Sequence, residues 1–120
     1  MNNILDANAI LRYLLNDIKE QSKEVEDIIH KGAYTISEVM CEVVYVLEGV
    51  YSLSRNEISD VLIDFLDEID MNEKAVTKEA LKIFKTNNLD YVDCLLVSRH
   101  KLYNDNIISF DKKLNKALLK

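Results

Sequence analysis

The chain has 120 residues, enough for one domain with a core that needs no staples, and a formal net charge of −6. Pro is absent and Gly occurs twice, which excludes collagen-like and linker-rich architectures and argues against a turn-rich all-β fold. Two Cys and two scattered His give neither a disulfide framework nor a zinc site, and the excess of acids means that any nucleic-acid contact is local or metal-bridged.

Taken in order, residues 2–6 (NNILD) predict a short strand running into a helix through Leu15. Residues 19–31 predict a helix with Val25, Ile28 and Ile29 on its apolar face and Gly32 as its stop. Ala33–Ile36 reads as a second strand, followed by a helix to about Val50 that Ser37 is placed to cap. Ser54-Arg55-Asn56-Glu57 has the form of a capping box, and Ile58, Val61, Leu62, Phe65, Leu66 and Ile69 follow at spacings of three and four. Residues 69–71 suggest a brief strand, and Val76, Ala80, Ile83 and Phe84 mark another helix. Asp90 is placed to cap a helix running to about Asn104. Asn106–Ser109 reads as the last clear strand and Lys112–Leu119 as helical.

This alternation implies an α/β fold, a parallel sheet with helices on both faces. Such sheets carry their sites at the carboxyl ends of the strands. No apolar run approaches the ~20 residues of a membrane span, and MNNILDANAILRYLL lacks the basic start of a signal peptide. A cytoplasmic domain with reduced thiols and no membrane contact is expected.

Most of the 21 acids fall where solvent is expected. Glu57, Asp60, Asp64, Asp67 and Glu68 line the polar face of one amphipathic helix. Four acids instead interrupt apolar runs: Asp6 in ILDANAIL, Glu42 in VMCEVVYVL, Asp93 in YVDCLLV and Asp111 in IISFDKKL. Burying an unpaired carboxylate is costly, and a divalent cation removes that cost. Hard oxygen ligands suit Mg²⁺ or Mn²⁺, and such ions can activate water and stabilise the leaving oxygen of a phosphodiester. Plainer roles stand beside this one. Asp6 has the position of a cap for the helix starting at Ala7, and Asp93 that of the third residue of a helix capped by Asp90. Glu38 and Glu48 are nearby acids that compete for the same role.

The ordered set of motifs resembles the PIN-domain ribonucleases, and among them the small VapC-like toxins of bacterial toxin–antitoxin pairs. ILDANAILRYLLND resembles the family's first strand and helix. ISEVMCEVVYVLEGVYSLSRNEI resembles the segment carrying its glutamate and the connection after it. LDYVDCLLVSRHK resembles its third acidic motif, and IISFDKKL its strand-end motif. The resemblance covers essentially the whole chain, taken as one PIN-like domain over 1–120.

The resemblance implies that Asp6, Glu42, Asp93 and Asp111 form a catalytic quartet holding one or two Mg²⁺ or Mn²⁺ ions. Asn8 and Ser109 match polar positions beside the site, and Asp90 matches a position that is often acidic. It implies an endoribonuclease that leaves a 5′-phosphate and a 3′-hydroxyl. A cognate antitoxin that blocks the site, a homodimer and a sheet of order 3-2-1-4-5 are implied as well. Ser109 stands where Thr is commoner, which keeps the hydroxyl. The chain stops at Lys120, soon after the last motif, so a fifth strand is expected to be very short or missing.

Cys41 and Cys94 flank quartet acids at positions that suit a small apolar side chain, and His30 and His100 read as surface or boundary residues. Arg12, Arg99, Lys101, Lys112 and Lys113 are candidates for a basic rim facing RNA. A receiver domain would carry paired acids after the first strand, yet Ala7 follows Asp6; a dehalogenase-like phosphatase would carry Asp-x-Asp, yet Asn8 holds the third position. The alternative that remains is a PIN fold without catalysis, acting as a binding module.

Overall fold

A computed structural model describes residues 2–120. Among them it has β1 (Asn3–Ile4), α1 (Ala7–Leu15), α2 (Lys19–Lys31), β2 (Ala33–Thr35), α3 (Ser37–Gly49), α4 (Arg55–Leu66), β3 (Asp70–Met71), α5 (Lys74–Thr86), α6 (Tyr91–Tyr103) and α7 (Lys112–Leu118). The strands form one parallel sheet with β2 in the middle. Asn3 and Ile4 pair with Ala33 and Tyr34, and Tyr34 and Thr35 pair with Asp70 and Met71. Buried Thr35 ties β2 to the end of β1 by donating its hydroxyl to the Leu5 carbonyl at 2.9 Å.

The helices follow their apolar periods. Val25 and Ile29 of α2, Ile58, Leu62, Phe65 and Leu66 of α4, and Val76, Ala80, Ile83 and Phe84 of α5 are buried. The acids of the α4 polar face are exposed, as the spacing predicts. The capping box is complete: the Glu57 amide donates to Ser54 Oγ at 3.1 Å and the Ser54 amide to Glu57 Oε1 at 3.0 Å. Gly32 ends α2 at φ 110°, a backbone conformation that side-chain-bearing residues rarely adopt. Helix α5 packs on both α4 and α6, α6 on α7, and α1 on α2 and α3.

The sheet departs from the expected five strands in the order 3-2-1-4-5. Three strands are present among the described residues, and β1 is an edge. The expected strand at Asn106–Ser109 does keep the alternation of a strand. Ile107 and Ser109 are half-buried, while Asn106 and Ile108 are exposed. Its polar groups go elsewhere. Ser109 Oγ accepts the Asp111 amide at 3.0 Å, and the Ser109 carbonyl accepts Asn115 Nδ2 at 2.8 Å. Just upstream, the Asp105 carbonyl meets His100 Nδ1 at 2.9 Å. Local bonds of this kind compete with a ladder. Ser37 is also not a cap: Ile36 holds that position in α3, and the Ser37 amide is taken by Asn72 Oδ1 at 3.3 Å.

Candidate active site

Two of the four acids are helix N-caps. Asp6 closes β1 into α1 and accepts the Ala9 amide on Oδ1 at 2.8 Å. Asp111 does the same for α7, accepting the Leu114 amide on Oδ1 at 2.9 Å. Each cap uses one carboxylate oxygen, and both side chains are exposed. Their location at the start of a helix is favourable for an anion in its own right.

Glu42 lies on α3, one turn before Val46 and beside Cys41, and is exposed. Asp93 is the third residue of α6 and is half-buried. Burial of three of the four acids is therefore not what distinguishes them, contrary to their apolar sequence surroundings. The neighbours that bury Val43, Val44 and Leu47 lie on the other side of α3 from Glu42.

Asp93 is the electrostatic centre of the C-terminal part of the site. Burial raises its carboxyl above the ordinary range, and the charges of Asp90 and Asp111 raise it further. Asp90 occupies the N-cap position of α6, yet its side chain makes no capping bond and is exposed. Carboxylates from the start of α6 and the start of α7 thus bear on Asp93. A divalent cation fits such a set by its donor chemistry, since it removes like-charge repulsion with hard oxygen ligands. Asn8, exposed on α1, and Ser109, half-buried before α7, stand close in sequence to Asp6 and Asp111.

The quartet is not drawn into one tight ligand set. The His, Cys, Asp and Glu residues whose ligand atoms gather within 4.8 Å of one another, among the described residues, are Glu26, Asp27 and His30 on α2. Residue spacing of one and four on a helix is the signal that marks this cluster in the sequence. It already has a cation, because Lys23 Nζ lies 3.3 Å from Glu26 and 3.2 Å from Asp27. Open clefts do not single out the quartet either. One of about 520 Å³ along β1 is lined by Ile4, Leu5, Asp6, Ala9, Val25, Ile28 and Val39, and so includes one of the four acids.

The expected basic rim is largely committed within the molecule. Arg12 pairs with Asp17 at 2.8 Å and donates to Tyr51 Oη, Arg99 pairs with Glu73 and Asp105, and Lys101 with Glu79. Lys112 and Lys113 are exposed at the start of α7, next to Asp111, with no ion pair among the described residues. The thiols are quiet. Burial pushes the buried Cys94 thiol up to about 12 and raises that of Cys41, so both stay protonated at neutral pH.

None of the helices is long and apolar enough to cross a membrane. No solved structure matches the chain. A VapC ribonuclease of Aquifex aeolicus (strain VF5) is 26% identical over 121 residues, an alignment spanning 94% of this chain and 90% of that protein. The family model of the PIN domain matches residues 4–117, from the end of β1 into α7, and so takes in Asp6, Glu42, Asp93 and Asp111 together. With its strand-end acid, its glutamate helix and both late acidic motifs inside one continuous match, the chain belongs to the PIN domain family.

Proposed function

We propose that the protein is a Mg²⁺- or Mn²⁺-dependent endoribonuclease, the toxin of a VapBC-like pair acting in the cytoplasm. The observation that carries this reading is the half-buried Asp93 at the start of α6, on which the charges of Asp90 and, from the start of α7, Asp111 both bear. It occurs in a chain of the PIN family with a VapC ribonuclease among its relatives. In this reading Asp6, Glu42, Asp93 and Asp111 hold one or two ions, and Asn8, Ser109 and Asp90 orient them and the attacking water. Bound divalent ions supply water activation and neutralise the charge that builds on the phosphodiester.

The chain's own residues have distinct parts in this scheme. Asp6 and Asp111 present the oxygen that their caps leave free, so the helix starts fix where each carboxylate stands. Asp93, half-buried, sits where water is partly excluded and electrostatic effects are stronger. Lys112 and Lys113 offer phosphate contacts beside Asp111 in a molecule whose net charge of −6 otherwise repels RNA. The cognate antitoxin, which would cover the acids, and a homodimer belong to the same reading. Open apolar surface is available for them at Tyr45, Ile108 and Phe110.

RNA cleavage by the purified protein with Mn²⁺ and with EDTA, beside a Glu42→Gln protein prepared identically, tests this. Cleavage that needs both Mn²⁺ and Glu42 is the expected result. Equal cleavage by both proteins would mean a contaminating nuclease. Absence of both cleavage and Mn²⁺ binding would return the chain to the binding-module reading.

A further inference from the structure

Arg55 opens α4, a position that the helix dipole makes unfavourable for a cation. A charge placed against the dipole calls for a compensating contact. The guanidinium reaches out of its own helix. Nη1 donates to the carbonyls of Phe84 at 3.1 Å, Asn87 at 2.9 Å and Leu89 at 2.8 Å. Its Cζ lies 4.0 Å over the centre of the Phe84 ring, and Nε is 3.7 Å from Glu48 of α3. The side chain is 24% exposed, so these bonds are partly shielded from water.

The three carbonyls trace the end of α5 and the connection into α6. The last of them belongs to the residue immediately before Asp90, four positions before Asp93. The Asp90 side chain does not cap α6, so the helix start lacks the bond that usually fixes it. The Leu89 carbonyl is held instead by Arg55 from α4 and by Cys94 Sγ of α6 at 3.8 Å.

From this geometry we propose that Arg55 is a positioning residue for the acidic site, locking the α5–α6 connection and with it the start of α6 that carries Asp90 and Asp93. It touches neither substrate nor ion and acts through the backbone of residues 84–89. The proposal rests on the nuclease reading above and names a regulator of that site's geometry. A lysine ammonium keeps the charge and can donate to these carbonyls, but it ends one bond short of Nη1 and lacks the flat guanidinium stacked on Phe84.

The test compares Arg55→Met, Arg55→Lys and Ser59→Ala with the wild type. Ser59 is a control for plain destabilisation: its hydroxyl is buried and bonds the Leu81 carbonyl at 2.9 Å, in the same α4–α5 contact but away from the connection. Mn²⁺ affinity is read by titration calorimetry, and RNA cleavage as separate kcat and KM, all well below each variant's melting temperature. Arg55→Met is expected to weaken Mn²⁺ binding and lower kcat by about 10-fold or more. Arg55→Lys is expected to recover part of both, and Ser59→Ala to match the wild type. Wild-type Mn²⁺ affinity and kcat in folded Arg55→Met would overturn the proposal, as would an equal loss in Ser59→Ala. Should Arg55→Met not fold, Phe84→Leu removes the ring under the guanidinium together with its edge contact to Tyr91, with Ser59→Ala still controlling for destabilisation. A smaller loss of Mn²⁺ affinity is then expected, and no loss overturns the proposal. A wild type that neither binds Mn²⁺ nor cleaves RNA overturns the nuclease reading and this inference together; a wild type that does both while Arg55→Met equals it overturns this inference alone.

Discussion

Asp6 and Asp111 carry two roles at once, and asparagine separates them. Asn caps a helix about as well as Asp, whereas Ala removes the cap at a cost of about 1 kcal/mol. Asp6→Asn and Asp111→Asn are therefore expected to melt close to the wild type while losing ~100-fold or more in cleavage, as charge needed to hold a cation disappears. Thermal melts and cleavage rates on the same preparations check this; full activity in either amide variant would leave that acid as a cap alone. Asp93 differs in sign. Its folded carboxyl binds a proton more tightly than the unfolded one, so ionisation opposes folding. That penalty is present above the raised folded value and fades as pH falls toward the ordinary carboxylate value of about 3.9. Asp93→Asn is expected to melt higher than the wild type at pH 7 without metal, with the difference closing as the pH is lowered; a lower melting temperature at pH 7 would contradict it. The motifs single these acids out, but they do not carry their exposure. An apolar run in sequence says nothing about which side of a helix the acid takes, and Glu42 sits on the side away from Val43, Val44 and Leu47.

At the scale of elements, caps and stops were the most readable features. Ser54 and Glu57 bond each other's backbone as their spacing demands, and Gly32 ends α2 where a stop was expected. Ser37 misled because Ile36 already holds the extended cap geometry, at φ −125° and ψ 161°, leaving Ser37 inside the first turn. The fourth strand misled because composition and alternation report burial, whereas a ladder needs free backbone groups. Ser109 spends its hydroxyl and carbonyl on the start of α7. Gly32 offers a clean test of the backbone argument. A Cβ added there would meet nothing within 4 Å, so a change to alanine adds no clash with neighbours. What it adds is a side chain at φ 110°, with a strain of order 1–3 kcal/mol. Gly32→Ala is expected to lower the unfolding free energy by that amount, read as a lower urea midpoint with the slope unchanged. An unchanged midpoint would mean that the turn relaxes into another conformation.

The whole molecule places an acidic site on an acidic body, and that combination has a thermodynamic signature. With a net charge of −6, and with Asp90 and Asp111 bearing on Asp93, the metal-free protein folds against its own repulsion. A cation that binds the folded chain and not the unfolded one stabilises it by mass action, about 2.7 kcal/mol at a hundredfold excess over Kd. For a domain of this size that corresponds to a rise in melting temperature of roughly 10 °C. Monovalent salt also screens repulsion, so the comparison is made at a fixed ionic strength near 0.15 M, where the screening length is ≈ 8 Å. Two acidic groups compete for the effect. The cluster of Glu26, Asp27 and His30 on α2 is exposed apart from a half-buried Glu26, and already carries Lys23, so little net attraction remains there. The site around Asp93 has no such internal cation among the described residues. Mn²⁺ is therefore expected to raise the melting temperature of the wild type and of His30→Ala alike, and to do so much less for Asp93→Asn. A response that disappears in His30→Ala and survives in Asp93→Asn would move the metal to α2 and take the nuclease reading with it.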